Sequence, residues 1–343
     1  MNDNKPIGEN QINIARAAGD SDRDQKVLLT GATGFIGGRL LLKLDEEGYR
    51  VRCLVRKGEQ LRPKRSLERE PEVVYADLLE PETLAEAMEG MDSAYYLVHS
   101  MGGRTISETK AFAERDRRAA TNFVKAADDA GLKRIIYMGG LGDVSDELSE
   151  HLASRQEVAK ILSSGSPETT VLRAAVIIGA GGASFEIIRY LVERLPVMTV
   201  PRWVNTRAQP IAIEDVIPYL EGCLGVPETA GRSFDVCGPD ICTYGELMRI
   251  YARVRGLKRL IVSVPMLTPT LSAHWVNLVT PVPAGVVYPL IEGLKNEVIC
   301  RENDIHELIP IKLTSMKDAI CNALVEEEGG PGSLPSQQAC LMD

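Results

Sequence analysis

A histidine that can transfer protons and a permanently charged arginine lie one helical turn apart in the stretch 149-SEHLASRQEVAK-160. Histidine changes its charge near neutral pH and often transfers protons in catalysis. His151 and Arg155 are four residues apart, so they share a face of any helix that has begun by residue 151. The Arg155 charge would lower the pKa of His151, because it disfavours imidazolium. The pair predicts a proton-transfer site; the alternative is a surface histidine beside an arginine that only holds a cofactor.

A second polar pair, His99 and Ser100, ends the apolar stretch 93-SAYYLVHS-100. Ligands of open parallel sheets bind outside the carboxyl ends of the strands. Ser100 could therefore offer a hydroxyl group to a substrate, whereas His99 could instead lie buried beneath the end of the sheet. The predicted catalytic residues are His151, Arg155 and Ser100, and no metal ligand is predicted.

The clearest binding motif is the glycine-rich stretch 30-TGATGFIGG-38, which follows an apolar strand and opens a helix. Glycines in this turn let the backbone approach a pyrophosphate and let the helix pack closely against the strand. The helix N-terminus then offers N–H groups and a positive dipole end to phosphates. The motif predicts a dinucleotide site that includes Gly31, Gly34 and Gly37; the alternative is a glycine-rich turn without a ligand.

The end of the second strand favours NADP over NAD. A carboxylate there would bind the ribose 2′-hydroxyl of NAD, but Arg56 and Lys57 follow Val55 instead. Two cations suit a 2′-phosphate, although they could also be solvated loop charges. Asp77, after the third strand, could accept a hydrogen bond from the adenine amino group or cap the following helix.

Apolar strand-like runs alternate with amphipathic helical segments through the first half of the chain. Continuous apolar strands are typical of a parallel sheet covered by helices on both faces. Right-handed crossovers then give a doubly wound α/β sheet. We predict a Rossmann core that binds NADP over residues 25–180.

The pattern becomes looser beyond residue 180, where a smaller lobe is predicted over 181–325. Elements near 208–225 are expected to return to the core. The helix near 243–256 begins with a capping box in which Thr243 is followed three residues later by Glu246. The lobe would cover the strand ends and bind the substrate, and the polar segments 1–24 and 326–343 are predicted to be disordered tails.

Composition excludes some classes of function. A net charge of −9 argues against nucleic acid as the main partner, because a phosphate-binding surface needs a basic excess. Seven scattered cysteines without a CxxC pair predict neither a disulfide framework nor a zinc site, and they fit a reducing compartment. The N-terminal residues lack the apolar core of a signal peptide, so a cytoplasmic protein is expected. A monomer and a homodimer are both compatible with the sequence.

The segment 260–291 carries no Asp, Glu, Lys or Arg and has the length of a bilayer span. Its five prolines argue against a simple spanning helix. We interpret it as a buried or lid-forming part of the lobe, with peripheral membrane contact as the alternative.

These motifs resemble the extended and atypical branch of the short-chain dehydrogenase/reductase superfamily. The matching pieces include 30-TGATGFIG-37, 95-YYLVHS-100, 172-LRAAVIIG-179 and 210-PIAIEDV-216. The chain is also similar to NmrA-type regulatory proteins and to the nucleotide-binding accessory subunit of respiratory complex I. The resemblance, together with the strand-end cations, implies these cofactor contacts: Gly31, Thr33, Gly34, Phe35, Ile36, Gly37, Arg56, Lys57, Asp77, Leu78, Val98, His99 and Ala175.

The same resemblance shows where the catalytic pattern departs. Active members of the superfamily use a tyrosine, a lysine one helical turn later, and a serine at the end of the fifth strand. Here His151 and Arg155 stand at the first two positions, and Gly139 or Gly140 at the third. We therefore expect an NADP(H)-dependent oxidoreductase that acts on a carbonyl or alcohol of a fairly apolar molecule. The alternatives are a non-catalytic NADP-binding regulatory, assembly or structural subunit, and a lyase or epimerase that uses NADP transiently.

Overall fold

The computed structural model describes residues 25–100, 106–142, 149–264, 275–302, 304–328 and 340. Its strands in chain order are β1 Lys26–Thr30, β2 Arg50–Val55, β3 Glu72–Tyr75, β4 Ser93–Tyr96, β5 Arg134–Gly140, β6 Glu168–Ala174, β7 Ile177–Ile178, β8 Val197–Pro201, β9 Arg207–Ala208, β10 Ile211–Ala212, β11 Ser233–Val236, β12 Cys242–Thr243 and β13 Leu260–Val264. The helices are α1 Phe35–Glu46, α2 Leu84–Met88, α3 Ile106–Ala130, α4 Glu150–Leu162, α5 Ala183–Arg194, α6 Ile213–Gly225 and α7 Tyr244–Val254, followed by Ala284–Gly293, Asp304–Leu308 and Met316–Glu327.

Seven strands form one parallel sheet in the order β11-β6-β5-β4-β1-β2-β3. Apolar side chains of α1 and α6 cover one face of this sheet. Those of α2, α3 and α4 cover the other face. The central strands are therefore buried on both sides, which explains their continuous apolar sequences. The predicted doubly wound α/β fold is confirmed.

The chain returns to the core after residue 208. Helix α6 packs against α1, and β11 adds to the edge of the sheet beside β6. Helices α5, α7 and Met316–Glu327 come before and after these returns in the chain, and they pack around a separate apolar cluster that we call the lobe. The predicted capping box of α7 is present, with Thr243 and Glu246 bonding each other's backbone N–H groups.

The lobe also contains strand pairs that the sequence did not predict. β8 pairs in parallel with β13, β7 pairs in parallel with β10, and β9 pairs antiparallel with β12. Each pair joins segments far apart in the chain, and β7, β9, β10 and β12 have two residues each. Strands of that length are too short for a period of two to be read from sequence.

The prediction that the cysteines form no disulfide framework is wrong for four of them. Cys237 bonds to Cys300 across 63 residues of sequence, and Cys321 bonds to Cys340 across 19. Their Cα atoms lie 6.2 and 5.9 Å apart, so tertiary folding rather than a spacing motif brings each pair together. The scattered cysteines therefore do not indicate a reducing compartment.

The uncharged segment 260–291 divides into several parts. β13 begins it, residues 275–279 are helical, and the helix Ala284–Gly293 ends it, while 265–274 lie outside the described residues. Val287 and Ile291 are buried in the lobe cluster. Among the residues that the structure describes, no helix has both the length and the apolar character needed to cross a membrane.

The turn between β1 and α1 depends on two glycines. Gly31 has φ +73°, and a Cβ atom added there would lie 2.6 Å from the carbonyl oxygen of Leu97 at the end of β4. A Cβ atom added at Gly37 would lie 2.1 Å from the Gly31 carbonyl oxygen. The first turn of α1 can therefore sit directly over the end of β1 only because both positions lack side chains.

We predict that Gly31→Ala destabilises the protein by about 3 kcal/mol or more, because left-handed strain adds to an unavoidable backbone clash. Gly48→Ala is the matched control. Gly48 also has positive φ, at +82°, but an added Cβ atom meets nothing within 4 Å. That variant should lose only about 1 kcal/mol. Urea unfolding measures both, and equal losses would contradict the close approach at Gly31.

Candidate functional site

One cavity of about 940 Å³ joins the glycine turn to the lobe. It lies outside the carboxyl ends of β1, β4, β5 and β6, where ligands of doubly wound sheets bind. Its volume is at the upper end of the roughly 300–1,000 Å³ that is usual for ligand pockets. The apolar wall on the lobe side includes Ile187, Leu191, Tyr244, Met248, Val276 and Leu290.

The cavity brings together nearly all of the predicted site residues. The exception is Lys57, which is exposed and does not line it. The predicted residues that line it are Gly31, Thr33, Gly34, Phe35, Ile36, Gly37, Arg56, Asp77, Leu78, Val98, His99, Ser100, His151, Arg155 and Ala175.

The mouth of the cavity beside β2 contains an acid that the sequence analysis missed. The Glu59 carboxylate pairs with the exposed guanidinium of Arg56 and accepts a hydrogen bond from the Thr33 hydroxyl at 3.3 Å. An acid therefore does lie near the end of β2, although neither of the two residues that follow the strand is one. Glu59 is placed by the turn after Arg56, and its position four residues past the strand carries no recognisable spacing. Arg56 could meet a 2′-phosphate, and Glu59 could meet a ribose hydroxyl group.

Asp77 caps its own turn and still lines the cavity. One of its carboxylate oxygens accepts a hydrogen bond from the backbone N–H of Leu79 at 2.9 Å. The Thr83 hydroxyl and the Asp77 backbone close the same turn. Both readings of Asp77 are therefore compatible with the structure: it holds the turn, and its second oxygen can accept from a ligand.

Helix α4 places the predicted catalytic pair. Ser149 caps its N-terminus by accepting from the backbone N–H of Leu152 at 3.3 Å, so the helix has begun by His151. His151 and Arg155 therefore share the face that lines the cavity. The ring of His99, from the end of β4, lies 6.3 Å from the ring of His151 between centroids.

The surroundings of both histidines disfavour the imidazolium form. Burial and then the Arg155 charge lower the pKa of His151 to about 3. Burial, Arg155 and His151, in that order, lower the pKa of His99. The His99 side chain is nevertheless exposed to the open cavity, so solvent there would stabilise its imidazolium form and reduce the lowering of its pKa. A bound ligand that displaces solvent would strengthen it.

Asp116 on α3 connects the two sides of this cluster and was also missed. Its carboxylate accepts a hydrogen bond from the backbone N–H of Ser100 at 2.6 Å and lies 3.5 Å from the Ser154 hydroxyl. Burial raises the pKa of Asp116, while Ser100 and Arg155 oppose that rise. The acid therefore fixes Ser100 at the end of β4 and lies close enough to balance part of the Arg155 charge. An acid on the apolar stripe that includes Phe112, Ala119 and Phe123 is the feature of the sequence that could have revealed it.

The end of β5 explains how the site accommodates a glycine where the resemblance implies a serine. A Cβ atom added at Gly140 would lie 3.0 Å from the Leu152 side chain and 3.6 Å from Cγ of Arg155. The missing side chain lets α4 approach the strand end. Tyr137, two positions before Gly139, is buried and donates a hydrogen bond to the Arg155 carbonyl at 3.3 Å, so it supports α4 from the core.

The sheet and its helices define a fold of the Rossmann class. Residues 31–189, somewhat less than half of the chain, match the family model described as NAD(P)H-binding. The expected resemblance to the atypical short-chain dehydrogenases is confirmed by this match and by the relatives below.

The relatives carry different names. A ceramide reductase from Caulobacter vibrioides is 28% identical over 70% of this chain and 73% of its own length. The photosystem II assembly factor Ycf39 from Synechocystis is 24% identical over 70% and 71%. Subunit 9 of the NADH dehydrogenase 1 alpha subcomplex from Arabidopsis thaliana is 23% identical over 82% and 74%.

Solved structures share the fold. A triphenylmethane reductase from Citrobacter, solved with NADP(H), has a TM-score of 0.65 at 19% identity and covers 87% of this chain and 99% of its own. A nucleoside-diphosphate-sugar epimerase from Staphylococcus aureus has a TM-score of 0.69 at 17% identity, covering 86% and 99%. At these identities the likeness extends to the fold alone.

We predict that His151 stays neutral from pH 8 down to pH 5. Because its folded pKa lies below the unfolded value of about 6.5, protonation favours the unfolded chain. The contribution of His151 to stability is complete above pH ~6.5 and is lost as the pH falls toward the folded pKa. Carbon-13 NMR of labelled histidine, assigned with His151→Gln, measures the titration. A midpoint near pH 6.5 for His151 would contradict the enclosed site.

Proposed function

We propose that the protein is an NADP(H)-dependent oxidoreductase that transfers a hydride to or from a carbonyl or alcohol carbon of a fairly apolar small molecule. The observation that carries this proposal is the continuity of the cavity. It joins the glycine turn, the polar cluster of His99, Ser100, His151 and Arg155, and the apolar wall of the lobe. A dinucleotide bound along the strand ends would bring its reactive ring toward this cluster.

Bound NADPH would supply the hydride, and the residues of this chain manage charge and protons. In carbonyl reduction, the substrate carbon gains the hydride and its oxygen gains a proton. Arg155 stabilises the negative charge that develops on that oxygen. His151 is neutral, so it donates its ring N–H proton to the oxygen while its other nitrogen receives a proton through water or His99. Asp116 accepts a hydrogen bond from the Ser100 backbone N–H and so holds Ser100, at the end of β4, beside the substrate.

The choice of NADP rests on Arg56. Its guanidinium lies at the mouth of the cavity beside the glycine turn, where an adenosine 2′-phosphate would be able to contact it. Glu59 opposes this choice, since its carboxylate would repel the phosphate. The exposed Arg56 side chain can leave Glu59 at little cost, because surface ion pairs contribute at most about 1 kcal/mol.

Arg56→Ala should raise the Kd for NADPH about tenfold or more and leave that for NADH nearly unchanged, because a charge-assisted bond to the 2′-phosphate is lost. Glu59→Gln should tighten NADPH binding. Lys57→Ala is the matched control, since Lys57 lies outside the cavity and should affect NADPH less. Fluorescence titration measures all three. Equal effects of Arg56→Ala on both nucleotides would contradict the 2′-phosphate contact.

His151→Ala should lower kcat for NADPH-dependent reduction of apolar aldehydes, ketones or quinones by about 10²–10⁴-fold, the usual range for a lost proton-transfer group. The Kd for NADPH should change little. His306→Ala is the control, because His306 contacts the Tyr219 hydroxyl outside the cavity. Unchanged kcat in His151→Ala would remove this residue from the mechanism.

A non-catalytic NADP-binding subunit is the second candidate. The departures at Gly140, His151 and Arg155 favour it, because each replaces a group that active relatives are expected to use. Two of the relatives also carry the names of an assembly factor and of a subunit of a larger complex. Tight NADPH binding without turnover on a broad panel of carbonyl compounds would support this second function.

A further inference from the structure

A two-stranded ribbon on the lobe presents apolar side chains to solvent. β8 and β13 run in parallel, with Leu260 opposite Val197 and Val262 opposite Thr199. Paired residues point to the same side of a sheet, and every second residue does so along a strand. Val197, Leu260 and Val262 are 54%, 58% and 40% exposed, whereas Met198 points into the lobe and is buried.

The helical residues 275–279 extend this apolar surface. Trp275 is 40% exposed and Leu278 is 82% exposed. The Arg194 guanidinium, at the end of α5 and just before β8, donates a hydrogen bond to the Val279 carbonyl and so joins the two parts. We call the surface the apolar face and define it by these exposed residues: Val197, Leu260, Val262, Trp275 and Leu278.

The apolar face and the cavity share a wall. Val276 is buried and lines the cavity, while its neighbours Trp275 and Leu278 point to solvent. The helix Ala284–Gly293 continues this wall, and its residues Pro289, Leu290 and Ile291 also line the cavity. Only the short helix 275–279 therefore lies between the apolar wall of the cavity and the apolar face in this part of the described structure.

Two exposed cations lie beside the apolar face, although the whole chain has a net charge of −9. Lys258 is exposed two residues before β13 and alternates outward with Leu260 and Val262, so it lies at the edge of the face. Arg194 is exposed at the end of α5, and its guanidinium donates a hydrogen bond to the Val279 carbonyl. Residues 247–291 contain no acid.

We propose that the apolar face docks onto a lipid bilayer that contains anionic lipids, and that the apolar substrate reaches the cavity from that bilayer. Apolar side chains with an aromatic residue and flanking cations are the features that hold proteins at such surfaces. A symmetric contact with a second copy fits less well, because it would bring the same patch and the same cations together. The proposed docking is argued from the apolar face alone. The proposal that the substrate comes from the bilayer rests on the proposed function.

The test is flotation of the full chain with vesicles of phosphatidylcholine, with and without phosphatidylglycerol. We expect binding to the anionic vesicles, weaker binding to the neutral ones, and loss of binding at high salt, because salt screens the cations. Val262→Glu and Leu278→Glu should each lower the fraction bound by about tenfold, since each removes a large apolar contact. Leu278 is so exposed that its replacement spares the fold.

The matched control is Val73→Glu on the edge strand β3. Val73 is 39% exposed, against 40% for Val262, and lies at the far edge of the main sheet. It should float like the unchanged protein. Absence of binding to anionic vesicles, an equal loss in Val73→Glu, or a homodimer in solution that Leu278→Glu dissociates would each overturn the docking.

NADPH titration and NADPH oxidation on the same samples separate the two proposals. Turnover of water-soluble carbonyl compounds without flotation would overturn the docking and leave the proposed function standing. Flotation without turnover would support the docking and contradict the proposed oxidoreductase. If both hold, reduction of a long-chain aldehyde carried in anionic vesicles should slow about tenfold in Leu278→Glu, while a water-soluble aldehyde is reduced as before.

Discussion

The close approach of the glycine turn to the end of β4 is the contact on which the site depends. The Gly31 backbone lies against the Leu97 carbonyl, and Gly37 lies against Gly31, with no space for a side chain at either position. This contact sets α1 over the end of β1 and so directs its N–H groups into the cavity. Val98, His99 and Ser100 continue directly from Leu97. The proposed phosphate site and the proposed chemical site are therefore parts of one rigid junction between neighbouring strands.

A second constraint is electrostatic. Arg155 brings a permanent positive charge into the cavity, which the imidazole rings of His99 and His151 also line. This charge disfavours protonation of both rings, and Asp116 lies near enough to offset part of it. Such a site is unsuited to a cationic substrate group and suited to an oxygen that gains negative charge. This polarity is consistent with carbonyl reduction. It also explains why a neutral imidazole, rather than an imidazolium ion, would donate the proton.

The core could be predicted from the sequence because its signals are local. Local patterns predict each element, namely the continuous apolar strands, the amphipathic helices and the turn at 30-TGATGFIGG-38. Together these patterns indicate a doubly wound sheet. The pairing of His151 with Arg155 followed from helical spacing in the same way. Three features could not be predicted because each depends on contacts between segments distant in sequence. They are the Glu59–Thr33 contact, the Cys237–Cys300 disulfide and the pairing of β8 with β13. Asp116 is intermediate, since its place on an apolar stripe was visible but its bond to Ser100 was not.

The lobe has apolar surfaces on both its inner and its outer side. Its inner wall is apolar where it meets the cavity, and part of its outer surface is apolar where it meets solvent. A substrate that is poorly soluble in water would be favoured on both sides of that wall. The relatives carry the names of a reductase, of an assembly factor and of a subunit of a larger complex, so similarity to them does not by itself specify a function.

If the protein is the proposed oxidoreductase, hydride passes directly from the cofactor to an apolar carbonyl in this cavity. NADPH that carries deuterium at both C4 positions should be incubated with the protein and a panel of apolar aldehydes and ketones, followed by mass spectrometry of the alcohols. We expect one deuterium at the carbinol carbon of a product, and none when the protein is omitted. Cofactor that binds tightly while no product gains deuterium would rule out the proposed oxidoreductase.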